Sequence, residues 1–361
     1  MRVLLLTGRE ISYARNEVLL HALQRFAQVD VIAPTPMPHS LLASSGQMIG
    51  RALPRLLRQR YDLVFVGFYG YLILRLLKPC LRPPVLFDAF VSNYDTLCFD
   101  RKKFAPNSPA GRLAYWLDRS TCQLADHILL DTQAHVDYFR QMFGLAATRL
   151  SAIPVGCSDD IYRPRPVSPH PVTHVLYYST FLPLHGVETI IQAAALLKDE
   201  PIRFHLIGDG PLLEEIQATV QRLQLFNLTL APPVSPRVLA DKIAEADICL
   251  GGHFGQSEKA GRVIPGKIYQ MLAVGRAVIA ADAPGNRELL NHQETAWLIP
   301  PADPTALATA IRRLHIDPEL RARLANQGRR LYESQCSEAV ITEKLRGIVE
   351  QMISQRDSSP A

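Results

Sequence analysis

The segment EKAGRVIPGKIYQMLAVG joins cationic side chains to the start of a helix. Pro265 suits the first position of that helix, and Gly261 and Gly266 let a ligand approach the backbone. The unpaired N–H groups of a first helical turn carry about half a positive charge, and Arg262 and Lys267 add full charges beside them. This combination predicts a site for an anionic group. The alternative is a plain crossover helix whose lysine and arginine point to solvent.

The elements that must position this site alternate in type along the chain. Short apolar runs are followed by longer runs with helical periodicity, which predicts an α/β protein with parallel sheets covered by helices on both faces. A proline-rich segment, residues 159–172, interrupts the series and is interpreted as a stiff linker. Strands are expected at residues 2–7, 29–34, 62–67, 84–90, 126–132 and 149–156, and then at 174–180, 203–209, 228–232, 247–252, 277–282 and 296–301. Two such doubly wound domains would leave a cleft between the carboxyl ends of their strands, where these sheets bind ligands.

The composition is that of an ordinary globular protein. The chain has 361 residues, of which 48% are hydrophobic and 20% charged, enough for two domains with separate cores. The apolar run at 64–74 is shorter than the roughly 20 residues of a membrane-spanning helix. The N-terminus also lacks a signal-peptide layout, so a cytoplasmic protein is expected. The six cysteines form no CxxC pair, so neither a disulfide framework nor a metal site is expected.

The excess positive charge lies in the first half of the chain. Residues 1–160 contain 18 Lys and Arg against 13 Asp and Glu, whereas residues 161–361 contain 21 of each. The stretches RALPRLLRQR (51–60) and LILRLLKPCLR (72–82) interleave cations with leucines, a pattern suited to peripheral contact with an anionic membrane. Two solvated helices with core-facing leucines are the alternative. Nucleic acid is not expected as a partner, because no recognition motif accompanies the charge.

Four blocks in the second half resemble the donor domain of glycosyltransferase family 4, whose members have the GT-B fold. The blocks are YYSTFLPLHGVETIIQAA (177–194), HLIGDGPLLEEI (205–216), LADKIAEADICL (239–250) and PGKIYQMLAVGRAVIAADAPGNRELL (265–290). The first half matches more loosely, through the TGRE that ends the opening strand, DHILLDTQAHVDYF and AIPVGCSDDIYRP.

The resemblance implies two Rossmann-like, doubly wound domains that face each other across a cleft. It implies an acceptor-side domain at residues 1–165 and a nucleotide-sugar donor domain at residues 166–336. A helix at residues 337–361 is expected to cross back to the first domain.

The resemblance also implies how a UDP- or GDP-linked sugar would be held. Its diphosphate is expected at Arg262, Pro265, Gly266 and Lys267. The family carries two glutamates eight positions apart, the first near the sugar and the second on the ribose. Here those positions are Arg262 and Gln270, so the motif is absent in its strict form. A glutamine can still hydrogen-bond a ribose hydroxyl, although more weakly than a carboxylate.

Other donor-side residues also depart from the family pattern. Glu258, upstream of Arg262, is a candidate for contact with the sugar, the alternative being a solvated loop glutamate. Family members place an arginine and a lysine after the first strand of the donor domain, where this sequence has Thr180 and His185. His185 is expected either to contact phosphate, in a way that depends on pH near its pKa, or to cap the next helix. Ser179 and Thr180 are candidate hydroxyl and backbone donors.

Two further turns have an implied role in nucleoside binding. Gly208 and Gly210 form a tight turn after a strand, where a nucleoside could pass close to the backbone. The loop at 231–234, with Pro233, occupies the place where related enzymes receive the base. A purely structural turn is the alternative.

The acceptor side is assigned to the first domain. Gly8 and Arg9 end the first strand, and Asn16 is expected to open the next helix. Asp88 and Asp95 are candidates to orient the incoming hydroxyl or to accept its proton, although either is also a plausible structural acid.

These assignments predict a glycosyltransferase that moves a sugar from a nucleotide diphosphate to a hydroxyl acceptor. The resemblance implies retention of the anomeric configuration. The basic, leucine-bearing first domain favours a lipid-linked or glycan acceptor, as in bacterial surface polysaccharide or glycolipid synthesis. No cofactor is expected, and the missing DxD motif argues for a metal-independent reaction in which a helix dipole and cations neutralise the leaving group. The alternatives are a catalytically silent GT-B scaffold that serves as a partner subunit, and a sugar-nucleotide epimerase or hydrolase on the same fold. The predicted location is cytoplasmic, at the inner face of the membrane.

Overall fold

Each half of the chain folds around a six-stranded parallel sheet in the computed structural model, which describes residues 1–34, 41–166 and 171–357. One unit contains Met1–Gly156 and the residues from Glu338 onward, and the other contains Cys157–Ser337. The boundary therefore lies earlier than the expected one at 165/166. The reason is that the Tyr332 hydroxyl donates to Asp159 Oδ1 at 2.7 Å and so ties the start of the predicted linker to the second unit. Residues 167–170 of that linker lie outside the described residues.

The first unit opens with five alternating strand and helix pairs. The strands are β1 (Arg2–Leu6), β2 (Gln28–Ile32), β3 (Leu63–Val66), β4 (Val85–Asp88), β5 (His127–Leu130) and β6 (Leu150–Ala152), in the sheet order β2-β1-β3-β4-β5-β6. The helices are α1 (Ala14–Gln24), α2 (Leu41–Arg58), α3 (Tyr71–Leu77), α4 (Pro109–Leu124) and α5 (Gln133–Phe143). Local signals set the helix ends. In α5, for example, the Thr132 side chain accepts a hydrogen bond from His135 N at 3.1 Å, and Gly144 ends the helix at φ 66°.

The second unit repeats the pattern. Its strands are β7 (Thr173–Thr180), β8 (Ile202–Asp209), β9 (Leu228–Ala231), β10 (Ile248–Gly252), β11 (Ala277–Ala281) and β12 (Trp297–Ile299), in the order β12-β11-β10-β7-β8-β9. Its helices are α6 (Val187–Leu196), α7 (Leu213–Arg222), α8 (Pro236–Glu245), α9 (Glu258–Arg262), α10 (Gly266–Val274), α11 (Pro284–Arg287), α12 (Pro304–Ile316) and α13 (Pro318–Gln335). The prediction of two parallel sheets with interleaved helices is confirmed. The expected strand and helix series did not include α13.

The last helix, α14 (Glu338–Asp357), packs on the first unit. Ile341, Leu345 and Val349 are fully buried against the side chains of α1, including Leu19. Thus α1 and α14 cover one face of the first sheet, while α2 to α5 bury their apolar side chains on the other. Among the described residues, no helix is long and apolar enough to cross a bilayer.

Candidate functional site

The candidate site lies at the carboxyl edge of the second sheet. There β7 and β10 are neighbours, and the chain order reverses between them. In doubly wound sheets this reversal opens a crevice in which ligands bind. The helices that follow β7 and β10 therefore bring their first turns to the same edge.

The helix α10 begins at this edge with bare backbone amides. Pro265 is extended, with ψ 131°, so it caps the helix, and the first helical residue is Gly266, one position later than predicted. No side chain caps this end. The Ile268 N–H donates to the Pro265 carbonyl oxygen at 2.9 Å, so the N–H groups of Gly266 and Lys267 are the ones available to an anion.

Lys267 is buried at the start of α10. Its Nζ lies 3.3 Å from the Tyr177 hydroxyl and 4.3 Å from the centroid of the Tyr177 ring. A second ring, that of Tyr178, has its centroid 6.0 Å away. Burial lowers the pKa of Lys267 from 10.5 to about 7. No carboxylate forms an ion pair with it in the described part of the chain, so the ammonium group lacks a counter-charge.

Two histidine rings stack beside this lysine. The centroids of His185 and His253 are 4.9 Å apart and the ring planes differ by 6°. Burial, together with the charge of Lys267, lowers the pKa of His185 to about 3 and that of His253 well below its usual value. Both rings are therefore neutral at physiological pH, and the expected titration of His185 near neutral pH does not occur. The Leu182 N–H donates to His185 Nδ1 at 3.4 Å, which fixes that ring to its own loop.

Gln270 lies on the same face of α10 as Lys267. The Tyr178 hydroxyl donates to Gln270 Oε1 at 2.7 Å. This bond occupies the amide oxygen and leaves the amide N–H groups as the part of Gln270 that can reach a ligand.

The short helix α9 carries the two charged residues upstream of α10. Arg262 Nη1 lies 3.3 Å from Glu258 Oε2, one helical turn away. The Glu258 side chain is 83% exposed, whereas that of Arg262 is largely covered. Glu258 is thus on the solvent side of α9, and its contact with a sugar remains a prediction.

The glycines after β8 are required by the neighbouring strand. A Cβ at Gly208 would collide with the Ser179 carbonyl oxygen, and one at Gly210 would come within 2.8 Å of Phe181 N. The turn therefore lies directly against the end of β7, where Thr180 is exposed. Pro233 follows β9, which pairs with β8, and it is exposed. The close approach of β7 is enough to explain why glycines are required in this turn. Their contact with a nucleoside remains a prediction.

In the first unit, Asp88 is engaged by a buried arginine. Arg15 Nη2 lies 2.8 Å from Asp88 Oδ1, and both side chains have no exposed surface. The same guanidinium donates to the carbonyl oxygens of Ile153 at 2.6 Å and Leu130 at 3.3 Å. Burial raises the pKa of Asp88, and the charge of Arg15 opposes that rise. The interpretation of Asp88 as a base for an incoming hydroxyl is therefore unfavourable, because its carboxylate is enclosed and ion-paired.

The other acceptor-side candidates also have structural contacts. Asn16 lies inside the first turn of α1 instead of opening it, and its amide donates to Thr7 Oγ1 and the Glu10 carbonyl oxygen, both at 3.0 Å. A Cβ at Gly8 would collide with the Tyr69 carbonyl oxygen. Arg9 is half-buried, with its guanidinium 4.3 Å from the centroid of the Tyr13 ring. Asp95 is buried, in a π-helical turn at Asp95–Asp100.

Sequence reasoning missed three residues around Lys267. Tyr177 and Tyr178 lie in the strand expected at 174–180, and His253 directly follows the strand expected at 247–252. The one available signal was that all three lie near the carboxyl ends of strands, where site residues collect. Among the described residues, no three His, Cys, Asp or Glu side chains form a metal-binding group.

Two family models match the chain. A model described as glycosyl transferases group 1 matches residues 173–317, which include Lys267 and the side chains around it. A model described as a glycosyl transferase 4-like domain matches residues 1–156. Together they cover most of both units.

Two sequence relatives carry names of the same class. The chain is 25% identical over 297 residues to alpha-D-kanosaminyltransferase of Streptomyces kanamyceticus, which covers 78% of this chain and 73% of that protein. It is 27% identical over 152 residues to the lipopolysaccharide core biosynthesis glycosyltransferase LpsD of Rhizobium meliloti, which covers 42% of each.

Solved structures share the fold over nearly the whole chain. Sucrose-phosphate synthase from Thermosynechococcus elongatus superposes with a TM-score of 0.79 at 17% identity, covering 98% of this chain and 100% of that one. Anabaena Alr3699/HepE, solved in complex with UDP and glucose, has a TM-score of 0.72 at 18% identity, covering 97% and 100%. These likenesses identify the two sheets as those of the GT-B fold. The chain therefore belongs to the family 4-like, group 1 glycosyltransferases and is an enzyme of the hexosyltransferase type.

Proposed function

We propose that this enzyme transfers a hexose from a UDP- or GDP-linked donor to a hydroxyl acceptor, with retention of configuration and without a metal ion. The observation that carries the proposal is the buried, uncompensated ammonium group of Lys267 at the bare N-terminus of α10. A diphosphate would supply the missing counter-charge and accept hydrogen bonds from the free amide N–H groups of α10. HepE was solved with UDP, so uridine is the first base to test.

The proposed reaction exchanges one bond at the anomeric carbon for another. The bond from that carbon to the diphosphate oxygen breaks, and the acceptor oxygen forms a new bond on the same face. The hydroxyl proton passes to an oxygen of the departing diphosphate. Lys267 and the amides of α10 stabilise the negative charge that develops on the leaving group. Asp88 takes no part in proton transfer, because Arg15 encloses it.

The neighbours of the diphosphate would orient the rest of the donor. Neutral His185 adds no competing charge beside the diphosphate, and the Gln270 amide N–H groups would donate to a ribose hydroxyl. Glu258, at the start of α9, would reach the sugar hydroxyls from the solvent side. Thr180 and the backbone at Ser179 would donate to the phosphates.

The acceptor is proposed to be a glycan or lipid-linked sugar. The relative LpsD is named for lipopolysaccharide core biosynthesis, which supports a role in bacterial surface polysaccharide or glycolipid synthesis. The proposed location is the cytoplasmic side of a membrane, where such an acceptor is presented.

Titration calorimetry with UDP and GDP tests the donor site. Replacing Lys267 by alanine removes a charge-assisted contact, so we expect binding to weaken by about 1.5 to 3 kcal/mol. Lys198→Ala, an exposed lysine of the same unit, is the matched control and should bind like the parent. Equal affinity of the Lys267→Ala variant and the parent would remove Lys267 from the site. Absence of binding by the parent to either nucleotide would favour a silent scaffold.

A screen of nucleotide sugars then tests turnover. Release of nucleotide that depends on an added acceptor is expected for a transferase. Release without any acceptor would indicate a hydrolase, and a changed sugar still attached to its nucleotide would indicate an epimerase.

A further inference from the structure

Three neighbouring helices of the first unit expose large apolar side chains. The helices α2, α3 and α4 lie side by side, and their outer surface carries Leu57 (85% exposed), Leu76 (58%), Leu113 (62%) and Trp116 (49%). We call this surface the Leu–Trp face. Single exposed leucines are common, but four large apolar side chains on adjacent helices indicate a contact surface.

The same helices carry a one-sided charge. Their sequences contain six arginines and a single acidic residue, Asp118. Asp118 is buried and accepts hydrogen bonds from Ser92 Oγ at 2.7 Å and Tyr94 N at 2.9 Å, so it contributes no charge to the outer surface. The arginines are Arg51, Arg55 and Arg58 on α2, Arg75 on α3, and Arg112 and Arg119 on α4. Arg55 donates to the Val31 carbonyl oxygen and Arg75 to Ser120 Oγ. The other four arginines are exposed, so the surface of these helices is both apolar and cationic.

A contact between two of the helices holds the tryptophan in place. The Arg75 guanidinium lies 3.9 Å from the centroid of the Trp116 ring, and Arg75 Nη1 donates to Ser120 Oγ at 2.7 Å. The indole is thus fixed at the surface of α4 while half of it stays exposed. A pre-positioned tryptophan loses little conformational freedom when its environment changes from water to an interface.

We propose that the Leu–Trp face docks the enzyme on a lipid bilayer that carries anionic headgroups. The arginines would pair with lipid phosphates, and the leucines and Trp116 would enter the headgroup layer. A bilayer fits because it presents a uniformly negative surface above apolar chains, which complements both properties of the face at once. The proposal deepens the proposed membrane location and in that respect rests on the proposed function. The face belongs to the first unit and shares no residue with the donor site proposed around Lys267.

The second unit provides an internal contrast. Its exposed large apolar side chains lie on or just after four different helices, and its charges balance more evenly than those of α2 to α4. They are Leu196, Leu223, Phe226, Val238 and Ile316. Scattered apolar residues of this kind need no partner. The second unit therefore supplies matched control substitutions.

Cosedimentation with vesicles tests the electrostatic half of the proposal. The parent should bind vesicles in which about one third of the phosphatidylcholine is replaced by phosphatidylglycerol, and binding should fall with added salt. Each arginine near an anionic surface strengthens binding by about fivefold. The triple variant Arg58→Gln, Arg112→Gln, Arg119→Gln should therefore bind about a hundredfold more weakly. The control triple Arg222→Gln, Arg323→Gln, Arg330→Gln removes the same charge from the second unit and should bind like the parent. Circular dichroism would verify that both triples fold.

Tryptophan fluorescence tests the apolar half. The sequence has two tryptophans, so Trp297→Phe leaves Trp116 as the sole reporter. Its emission should shift to shorter wavelength on the anionic vesicles and be quenched by brominated lipids. Binding of vesicles without either change would overturn the proposal in favour of a soluble polyanionic partner, and equal binding by the two triples would overturn it as well. Both assays omit nucleotide sugar, and transfer to a water-soluble acceptor is measured separately, so failure of one proposal is distinguishable from failure of the other.

Discussion

At the scale of the residue, the surroundings of Lys267 are unfavourable to its own charge. Removing an ammonium group from water without a carboxylate partner destabilises the charged form, which is the sole cause of its lowered pKa. The same enclosure strengthens any interaction with an incoming phosphate, since little water screens it. Burial also lowers the pKa values of the nearby His185 and His253, so these rings stay neutral and do not compete with Lys267 for an anion.

The affinity for UDP should depend on pH through Lys267. In the free protein its pKa is about 7, and a bound diphosphate would raise it. Below that pKa the lysine is already charged, so this group adds no pH dependence there. Above it, binding must take up a proton, and affinity should fall by up to about tenfold for each pH unit. Calorimetry in buffers of different ionisation enthalpy would count the protons taken up.

Two variants serve as controls for that titration. Lys267→Arg keeps its charge at every pH tested, so its affinity for UDP should no longer fall above neutral pH. Lys267→Ala has no titrating group at this position and should lose the pH dependence as well. If the affinity of the Lys267→Ala variant for UDP falls with pH as steeply as that of the parent, the titrating group is not Lys267.

At the scale of elements, close contact between strand ends shapes the donor edge. The strands β7 and β8 pair up to Thr180 and Asp209, and the turn that follows β8 lies against the end of β7. Only a residue without a Cβ fits at Gly208. The tightness of this edge fixes the backbone at Ser179, and a binding site requires such a rigid backbone.

Substitution at this turn should be costly. Gly208→Ala forces a Cβ into the Ser179 carbonyl group, so we expect the free energy of unfolding to fall by about 1 to 3 kcal/mol. Gly347→Ala, in the interior of α14 where a Cβ meets nothing within 4 Å, should instead raise it by roughly 0.5 to 1 kcal/mol. Urea unfolding of the two variants measures both effects. Similar stabilities for Gly208→Ala and the parent would show that the turn can open without loss.

At the scale of the whole molecule, the chain builds two separate cores, and its last helix belongs to the first. The α14 side chains Ile341, Leu345 and Val349 complete the layer on the α1 face of the first sheet. Lys267 and the side chains described around it, by contrast, lie in the second unit. A destabilising change in α14 should therefore lower the free energy of unfolding without changing the surroundings of Lys267.

Truncating a buried side chain of α14 tests this division. Leu345→Ala leaves a cavity in the first core, so we expect a loss of about 2 to 5 kcal/mol in the free energy of unfolding. The dissociation constant for UDP should stay unchanged. Glu350→Ala, exposed on the same helix, is the control for stability. A weaker affinity for UDP in Leu345→Ala would show that the two units are coupled.

The sequence by itself determined the class of fold, the order of the strands along the chain and the start of α10 to within one residue. Apolar runs, helical periodicity and turn residues are local signals. The four blocks that resemble glycosyltransferase family 4 add the family to what these signals predict. The same local signals did not predict α13, whose residues 318–335 are rich in charge and show no continuous apolar stripe.

Only the tertiary structure decided how individual polar groups are paired. Asp88 looked like a candidate base until the fold placed Arg15, from another element, against it, and Tyr177, Tyr178 and His253 became site residues only through their distance to Lys267. The physical reason is that a pKa, an ion pair or a binding pocket depends on burial and on neighbours far away in the chain. Those quantities exist only once the strands have been brought side by side.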